Sequence, residues 1–167
     1  MALMTQKEIL LEQMAACHNL KCWFVPVSDA LGGLSHAQAS ETDGSDNHSI
    51  WQLVNHLIFW NQRWLSKFNG ITPPKMKGSI SETFGSETGT SKEWEVAVNE
   101  LDVLLSDWES AVRSSDEEKL GQDAANDEGA SWYEILNHIT IHNAYHIGQI
   151  VSARKRQGSW GADQGVK

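Results

Sequence analysis

Apolar residues recur every three or four positions in four separate segments of this chain, and that spacing constrains its fold more than any other feature. The segments run from about Thr5 to Leu34, from Ser49 to Phe68, from Ser91 to about Val112, and from Ser131 to Arg156. A period near 3.6 residues marks one face of a helix, and no stretch alternates long enough to build a sheet. The sequence therefore predicts an all-α protein with the architecture of a four-helix bundle.

Polar residues mark the ends of these segments. Thr5 and Ser131 each stand three residues before a Glu, which is the capping-box pattern of a helix start. Pro26 predicts a kink in the first helix, or its division near Val25. The stretches between the segments are polar and rich in Gly and Ser, so they are predicted to be connections. They are Ser35–His48, Ile71–Thr90 and Asp116–Ala130.

The length of 167 residues predicts one folded domain, placed at residues 1–158. Residues 159–167 have little apolar content and are predicted to form a poorly ordered tail. Cys17 and Cys22 lie in a helical pattern, where their spacing turns the two thiols about 140° apart, so they cannot pair. Unpaired cysteines and the lack of a signal-peptide pattern predict a cytoplasmic protein.

The charge of the chain excludes two classes of partner. Asp and Glu number 22 against 13 Lys and Arg, which gives a formal net charge of −9. Such a chain lacks the basic patch that binds nucleic acid or an anionic membrane surface. No apolar run reaches the roughly 20 residues of a membrane-spanning helix. We therefore expect neither a nucleic-acid partner nor a membrane partner.

Three histidines recur at intervals of four residues in the fourth segment, namely His138, His142 and His146. Residues four apart on a helix differ by about 40° of rotation and 6 Å of rise, so neighbouring imidazoles can converge on one ion. The outer two differ by about 80° and 12 Å, which is too far for both to bind one small ion comfortably. A metal ion would therefore use His142 together with one of its two neighbours.

A third ligand must come from another helix, and His56 lies on the apolar face of the second segment. The other histidines are less suited, because His36 and His48 lie in a polar connection and His18 has no neighbouring partner. Three imidazoles with an open position favour zinc or a similar borderline cation. The competing interpretation is that buried histidines only satisfy hydrogen bonds in the core, and for His56 taken alone it is the simpler one.

Four familiar metal-binding or catalytic motifs are absent from the sequence. A zincin protease needs a Glu directly after the first His of its His-x-x-x-His pair, and here Asn143 follows His142. Carboxylate-bridged di-iron bundles need a Glu three residues before a His, whereas Glu134 and His138 are four apart. No glycine-rich phosphate loop and no nucleophile elbow is found either.

The chain resembles the DinB-like superfamily of metal-binding four-helix bundles, also called the YfiT family. The resemblance rests on Trp51–Leu57 (WQLVNHL) in the second segment and on His142–Ile150 (HNAYHIGQI) in the fourth. Helix lengths and order fit as well, so it covers most of the chain up to about Gly158. Family members often carry a second His and an Arg around the final ligand, where this chain has Tyr145 and Ile147.

The resemblance implies a divalent metal ion bound by His56, His142 and His146. Zinc or nickel is the first expectation for that ion, and manganese or iron the next. His138 falls outside this set, as a core residue, as a residue that supports the ligands, or as an alternative ligand. Trp60 follows His56 by one helical turn and is expected to line the mouth of a pocket.

Characterised members of that family include S-transferases and isomerases that use low-molecular-weight thiols, and many others are described as metal-dependent hydrolases. The resemblance therefore implies a metal-dependent enzyme for a small-molecule substrate, in which the ion lowers the pKa of a thiol or of water. It identifies no catalytic residue. S-transfer is preferred, because relatives perform it and no carboxylate base lies beside the ligands. The alternative is a metal- or ligand-binding bundle without catalysis, such as a stress-response module.

A homodimer is also expected, mainly from the family resemblance. Trp94, Trp108 and Trp132 support this expectation, because they supply more apolar surface than one bundle core readily takes. Apolar surface that a single chain leaves uncovered is typical of a contact between two chains.

Overall fold

A computed structural model describes residues 3–44, 47–124 and 129–165, and within these ranges the protein is helical and has no strand. This confirms the predicted all-α class. In the same ranges, no helix is both long enough and apolar enough to cross a membrane. The four long helices are α1 (Gln6–His18), α4 (Ile50–Phe68), α5 (Ser91–Ser114) and α7 (Trp132–Arg156). The short helices are α2 (Val27–Leu31), α3 (His36–Ser40) and α6 (Glu117–Gly121), and 3₁₀ turns lie at Ile80–Phe84 and Ala162–Gln164.

The four long helices contact one another in a closed ring. α5 packs against α1 and α4, and α7 packs against the same two helices. Their apolar faces form the core, with Leu57, Leu101 and Ile150 in one part of it and Trp108 and Leu136 in the other. Because α4 and α7 are neighbours in this ring, side chains on their facing sides can meet.

Reciprocal side-chain caps begin all four long helices. The Thr5 hydroxyl accepts a hydrogen bond from the backbone N–H of Glu8, whose carboxylate accepts one from the backbone N–H of Thr5. The same arrangement begins α7 at Ser131, as predicted, and also begins α4 and α5. These bonds satisfy N–H groups that have no partner within the helix, so they fix where each helix starts.

The first helix is shorter than predicted. α1 ends at His18, and the chain stays non-helical until Pro26 precedes α2. Two residues that continued the apolar pattern point to solvent, since Leu20 is 45% exposed and Phe24 is 36% exposed. Helices in proteins gain most of their stability from burying an apolar face. The apolar residues between His18 and Val25 bury little, so the helix is interrupted there. Of the two outcomes expected of Pro26, the division near Val25 is confirmed, with residues 19–26 outside either helix, and a continuous kinked helix is wrong.

Two of the predicted connections contain short helices. α3 lies within residues 35–48 and begins with a capping box between Ser35 and Gln38. α6 lies within residues 116–130, and the Asp116 carboxylate caps it. Both helices have a start signal but no long apolar stripe. The helical period that identified the other segments therefore could not reveal them.

The tryptophans that supported a dimer are buried inside the single chain. Trp94, Trp108 and Trp132 are 4%, 1% and 6% exposed. Trp132, for example, packs its ring edge-on against Phe68, with 4.8 Å between the ring centroids. The core of one chain therefore takes all three rings, and this part of the dimer argument was wrong. The homodimer stays a prediction from the family resemblance.

The residues that follow α7 contact its last turn. The buried Arg154 guanidinium donates to the carbonyls of Ala30, Gly32 and Ser159, at 2.7, 3.1 and 2.8 Å. These bonds tie the end of α7 to the end of α2. The domain limits of 1–158 and the poor order of residues 159–167 stay predictions.

Candidate metal centre

Three imidazoles meet between α4 and α7. His56 projects from α4, and His142 and His146 project from successive turns of α7. Nε2 of His142 lies 3.1 Å from Nε2 of His56 and 3.1 Å from Nε2 of His146. His56 and His146 are buried, and His142 is half-buried. The three residues named by the family resemblance thus form one cluster, called the histidine triad here.

In two of the triad rings, the nitrogen that faces away from the other rings, Nδ1, donates a hydrogen bond to a fixed acceptor. Nδ1 of His56 donates to the Thr83 hydroxyl at 2.6 Å, because that hydroxyl gives its own proton to the Ile80 carbonyl. Nδ1 of His146 donates to the side-chain carbonyl of Gln149 at 2.6 Å. A neutral imidazole carries one proton, so Nε2 of both rings presents a lone pair to His142.

This set of donor atoms fits a metal ion. Nε2 of His142 lies 3.1 Å from the unprotonated Nε2 atoms of both His56 and His146. A proton on Nε2 of His142 could therefore form a good hydrogen bond to only one of these two atoms, because the two lie in different directions. Imidazole nitrogens that bind one ion at about 2.0–2.1 Å lie roughly 3 Å apart. Within the described ranges, the triad is the group of metal-ligating side chains whose ligand atoms all lie within 4.8 Å of one another. The triad could therefore hold a metal ion.

Burial keeps the triad unprotonated. It lowers the pKa of His56 to about 3 and that of His142 to about 4, and positive charge on the neighbouring rings lowers both pKa values as well. Burial also lowers the pKa of His146, although its hydrogen bond to Gln149 opposes the shift. All three rings are therefore neutral at neutral pH, which is the form that binds a metal ion.

The 3₁₀ turn between α4 and α5 holds His56 in place. Besides the hydrogen bond to Thr83, the Phe84 ring stacks on the His56 imidazole with 4.1 Å between the ring centroids. His48 in turn stacks on Phe84 at 3.5 Å. Asn55, which precedes His56 on α4, donates to the Phe84 carbonyl at 3.1 Å. The long connection therefore orients the one triad residue that comes from α4.

Replacing Thr83 with Val is expected to weaken metal binding by roughly 10- to 100-fold, the usual effect of removing a group that hydrogen-bonds a ligand. Val keeps the shape of Thr but has no hydroxyl, so Nδ1–H of His56 loses its acceptor. Competition with a chelating dye measures the affinity. Thr88→Val is the control, because Thr88 is exposed in the same connection. Equal affinities of the two variants would contradict this role of Thr83.

A cavity of about 330 Å³ opens beside the triad. His56 and His142 form part of its wall, and Trp60 and His138 line it as well. His138 is exposed and lies outside the triad. The cavity gives a small molecule access to two of the three triad rings.

Two buried amides join α4 and α7 close to the triad. Nδ2 of Asn61 donates to Oδ1 of Asn143 at 2.8 Å, and Nδ2 of Asn143 donates to Oδ1 of Asn61 at 3.1 Å. Nδ2 of Asn61 also donates to the Leu57 carbonyl at 2.8 Å. Sequence reasoning missed this pair, as it missed Thr83 and Phe84. A polar residue within the apolar stripe of α4 was the available signal, but its partner becomes visible only in the fold.

The remaining histidines of the helices lie apart from the triad. His18 is buried, and its two ring nitrogens face the carboxylates of Asp102 and Glu109 on α5 at 2.8 and 2.9 Å. It therefore has partners that the sequence did not reveal. His36 is the first residue of α3.

A family model described as the DinB superfamily matches residues 27–150 of the sequence. No curated protein and no solved structure gives a significant match. The matched range includes the three residues of the triad and both motifs on which the resemblance rests. It also covers well over half of the chain, and the chain therefore belongs to the DinB superfamily.

Proposed function

We propose that His56, His142 and His146 bind a divalent metal ion and that the protein is a metal-dependent enzyme for a small-molecule substrate. The observation that supports this is the convergence of three Nε2 atoms, two of them on rings whose Nδ1–H is already engaged. Zinc or nickel is the first expectation, because neutral imidazole suits both, and manganese or iron the next. A divalent ion would supply Lewis-acid activation of a thiol or of water.

Transfer to or from a low-molecular-weight thiol is the preferred reaction, and hydrolysis is the second. Of the described residues that line the cavity, none is an Asp or Glu. A water molecule beside the triad would therefore lack the carboxylate base that zincin proteases use. A thiol depends less on such a base, because its ordinary pKa of about 8.5 already lies near neutral pH.

Metal analysis of protein purified without a nickel column tests the first half of the proposal. We expect about one divalent ion per chain, retained on dialysis and removed by a strong chelator. The reaction is tested with 1-chloro-2,4-dinitrobenzene and a panel of small thiols, and with 4-nitrophenyl acetate for hydrolysis. We expect thiol conjugation that disappears with the ion and returns when the ion is added back.

Two results would contradict the proposal in different ways. Protein that retains no ion after incubation with excess zinc would contradict the metal centre itself. Protein that retains the ion but turns over neither substrate class, with or without thiol, would favour the alternative of a metal-binding bundle without catalysis.

A further inference from the structure

The cavity beside the triad has an apolar wall. It lies between α4, α7 and the 3₁₀ turn, and its volume of about 330 Å³ is at the small end of the range for ligand sites. Its apolar lining residues are Trp60, Trp64, Ile80, Ile135 and Ile139. Two indole rings and three branched side chains therefore surround a space that suits a group of one or two rings.

The polar residues of the cavity wall offer little to a charged ligand. No Lys, Arg, Asp or Glu is found among the described residues that line it. The Asn61 amide already bonds to Asn143 and to the Leu57 carbonyl. A charged group that packed against this wall, away from the triad, would lose its hydration without gaining a counter-charge from the protein, and such a transfer is strongly unfavourable.

We infer that this cavity binds an apolar, uncharged part of the substrate, aromatic or branched aliphatic in structure, with His56 and His142 at the reactive end. The inference rests on the proposed metal centre for the chemistry at that end, whereas the cavity and its lining are independent of it. An aromatic group has an added advantage, because its edge or face can contact the indole rings of Trp60 and Trp64.

A matched pair of probes tests the polarity of the cavity. 2-Naphthylmethanol and 2-naphthylmethylammonium have the same ring system and differ in charge. Titrations followed by the indole N–H signals in ¹H–¹⁵N spectra, assigned with Trp60→Phe and Trp64→Phe, report binding in this cavity. We expect the alcohol to shift both signals and to bind more tightly than the ammonium ion, although the protein carries a net charge of −9. Equal or tighter binding of the ammonium ion would overturn the inference.

A charge placed in the cavity wall tests the location of the bound group. Ile80 lines the cavity and is 61% exposed, while Ile71 lies in the same connection, is 62% exposed and does not line it. We expect Ile80→Asp to weaken binding of 2-naphthylmethanol by roughly tenfold or more, because the probe must then displace the hydration of a carboxylate. Ile71→Asp should bind it like the parent protein. Unchanged binding in Ile80→Asp, or an equal loss in both variants, would overturn the inference.

The same titrations separate this inference from the metal centre. They are run on chelator-treated protein and repeated after addition of zinc, with the metal content measured in each sample. If the protein takes up no metal but the alcohol shifts the two indole signals, the proposed function fails and the apolar site stands. If the metal binds at the triad but neither signal moves in any sample, the apolar site fails and the metal centre stands.

Discussion

Replacing His142 with Ala should abolish stoichiometric metal binding. Nε2 of His142 takes part in both 3.1 Å contacts of the triad, so the variant keeps two imidazoles and loses the donor between them. The fall in affinity should exceed the roughly 10- to 100-fold that follows the loss of a supporting hydrogen bond. Elemental analysis after dialysis and isothermal titration with zinc measure the effect.

The His142→Ala protein should still fold. Ala is a better helix former than His, and the imidazole is only half-buried, so far-UV circular dichroism should show an intact α7. His138→Ala is the matched control on the same helix, because His138 is exposed and outside the triad. That variant should bind the metal within about tenfold of the parent affinity. Metal retained by His142→Ala and lost by His138→Ala would contradict the assignment of the ligands.

Replacing Trp108 with Ala should lower the free energy of unfolding by roughly 3–5 kcal/mol. The side chain is 1% exposed, and its ring packs against Phe68 of α4 with 5.5 Å between the centroids. Phe68 in turn contacts Trp132 of α7, so the three rings connect α5, α4 and α7. Domains of this kind have a total stability of about 5–15 kcal/mol. The loss would therefore be a large fraction of the whole, and urea denaturation measures it.

Trp108→Phe separates the packing of this ring from its hydrogen bonding. In the described part of the chain, the buried Nε1 of Trp108 has no hydrogen-bond partner. Phe therefore removes no hydrogen bond and keeps most of the apolar contact, and its cost should be well below that of Ala. A loss as large as that of Trp108→Ala would contradict the packing argument. Metal binding by the folded fraction should be unchanged in both variants, because Trp108 lines neither the triad nor its cavity.

The helices that carry the site could be predicted from the sequence because each has an apolar stripe that is buried in the fold. For α7 the capping box between Ser131 and Glu134 was a second signal, whereas the capping box of α4, between Ser49 and Gln52, was missed. Between α1 and Pro26 the apolar residues Leu20 and Phe24 are exposed, and the helix predicted over that stretch does not form. Periodicity reports a helix reliably only where a neighbouring element covers the apolar face.

The triad could be predicted only in part from spacing. Helix geometry shows that His142 can share an ion with either neighbour on α7, and the choice of His146 needed the family resemblance. The hydrogen bond from His56 to Thr83 could not be found this way, because it joins residues 27 positions apart through a connection without a regular period. Gln149 belongs to the motif of α7 that carries the family resemblance, but its bond to Nδ1 of His146 is visible only in the fold.

The amide pair of Asn61 and Asn143 would affect how a metal ion enters and leaves the proposed site. A slip of α4 along α7 by one turn, about 5.4 Å, would separate the two amides, and each buried amide left unpaired would cost roughly 1–3 kcal/mol. Asn143 directly follows His142 in the chain, so the pairing that prevents the slip also keeps His142 opposite His56. The ligands are thus preorganised, and the entropy of ordering them is lost during folding rather than on binding. Unlike a zinc finger, which folds around its ion, a protein with imidazoles preorganised in this way would exchange a bound metal ion while it stays folded.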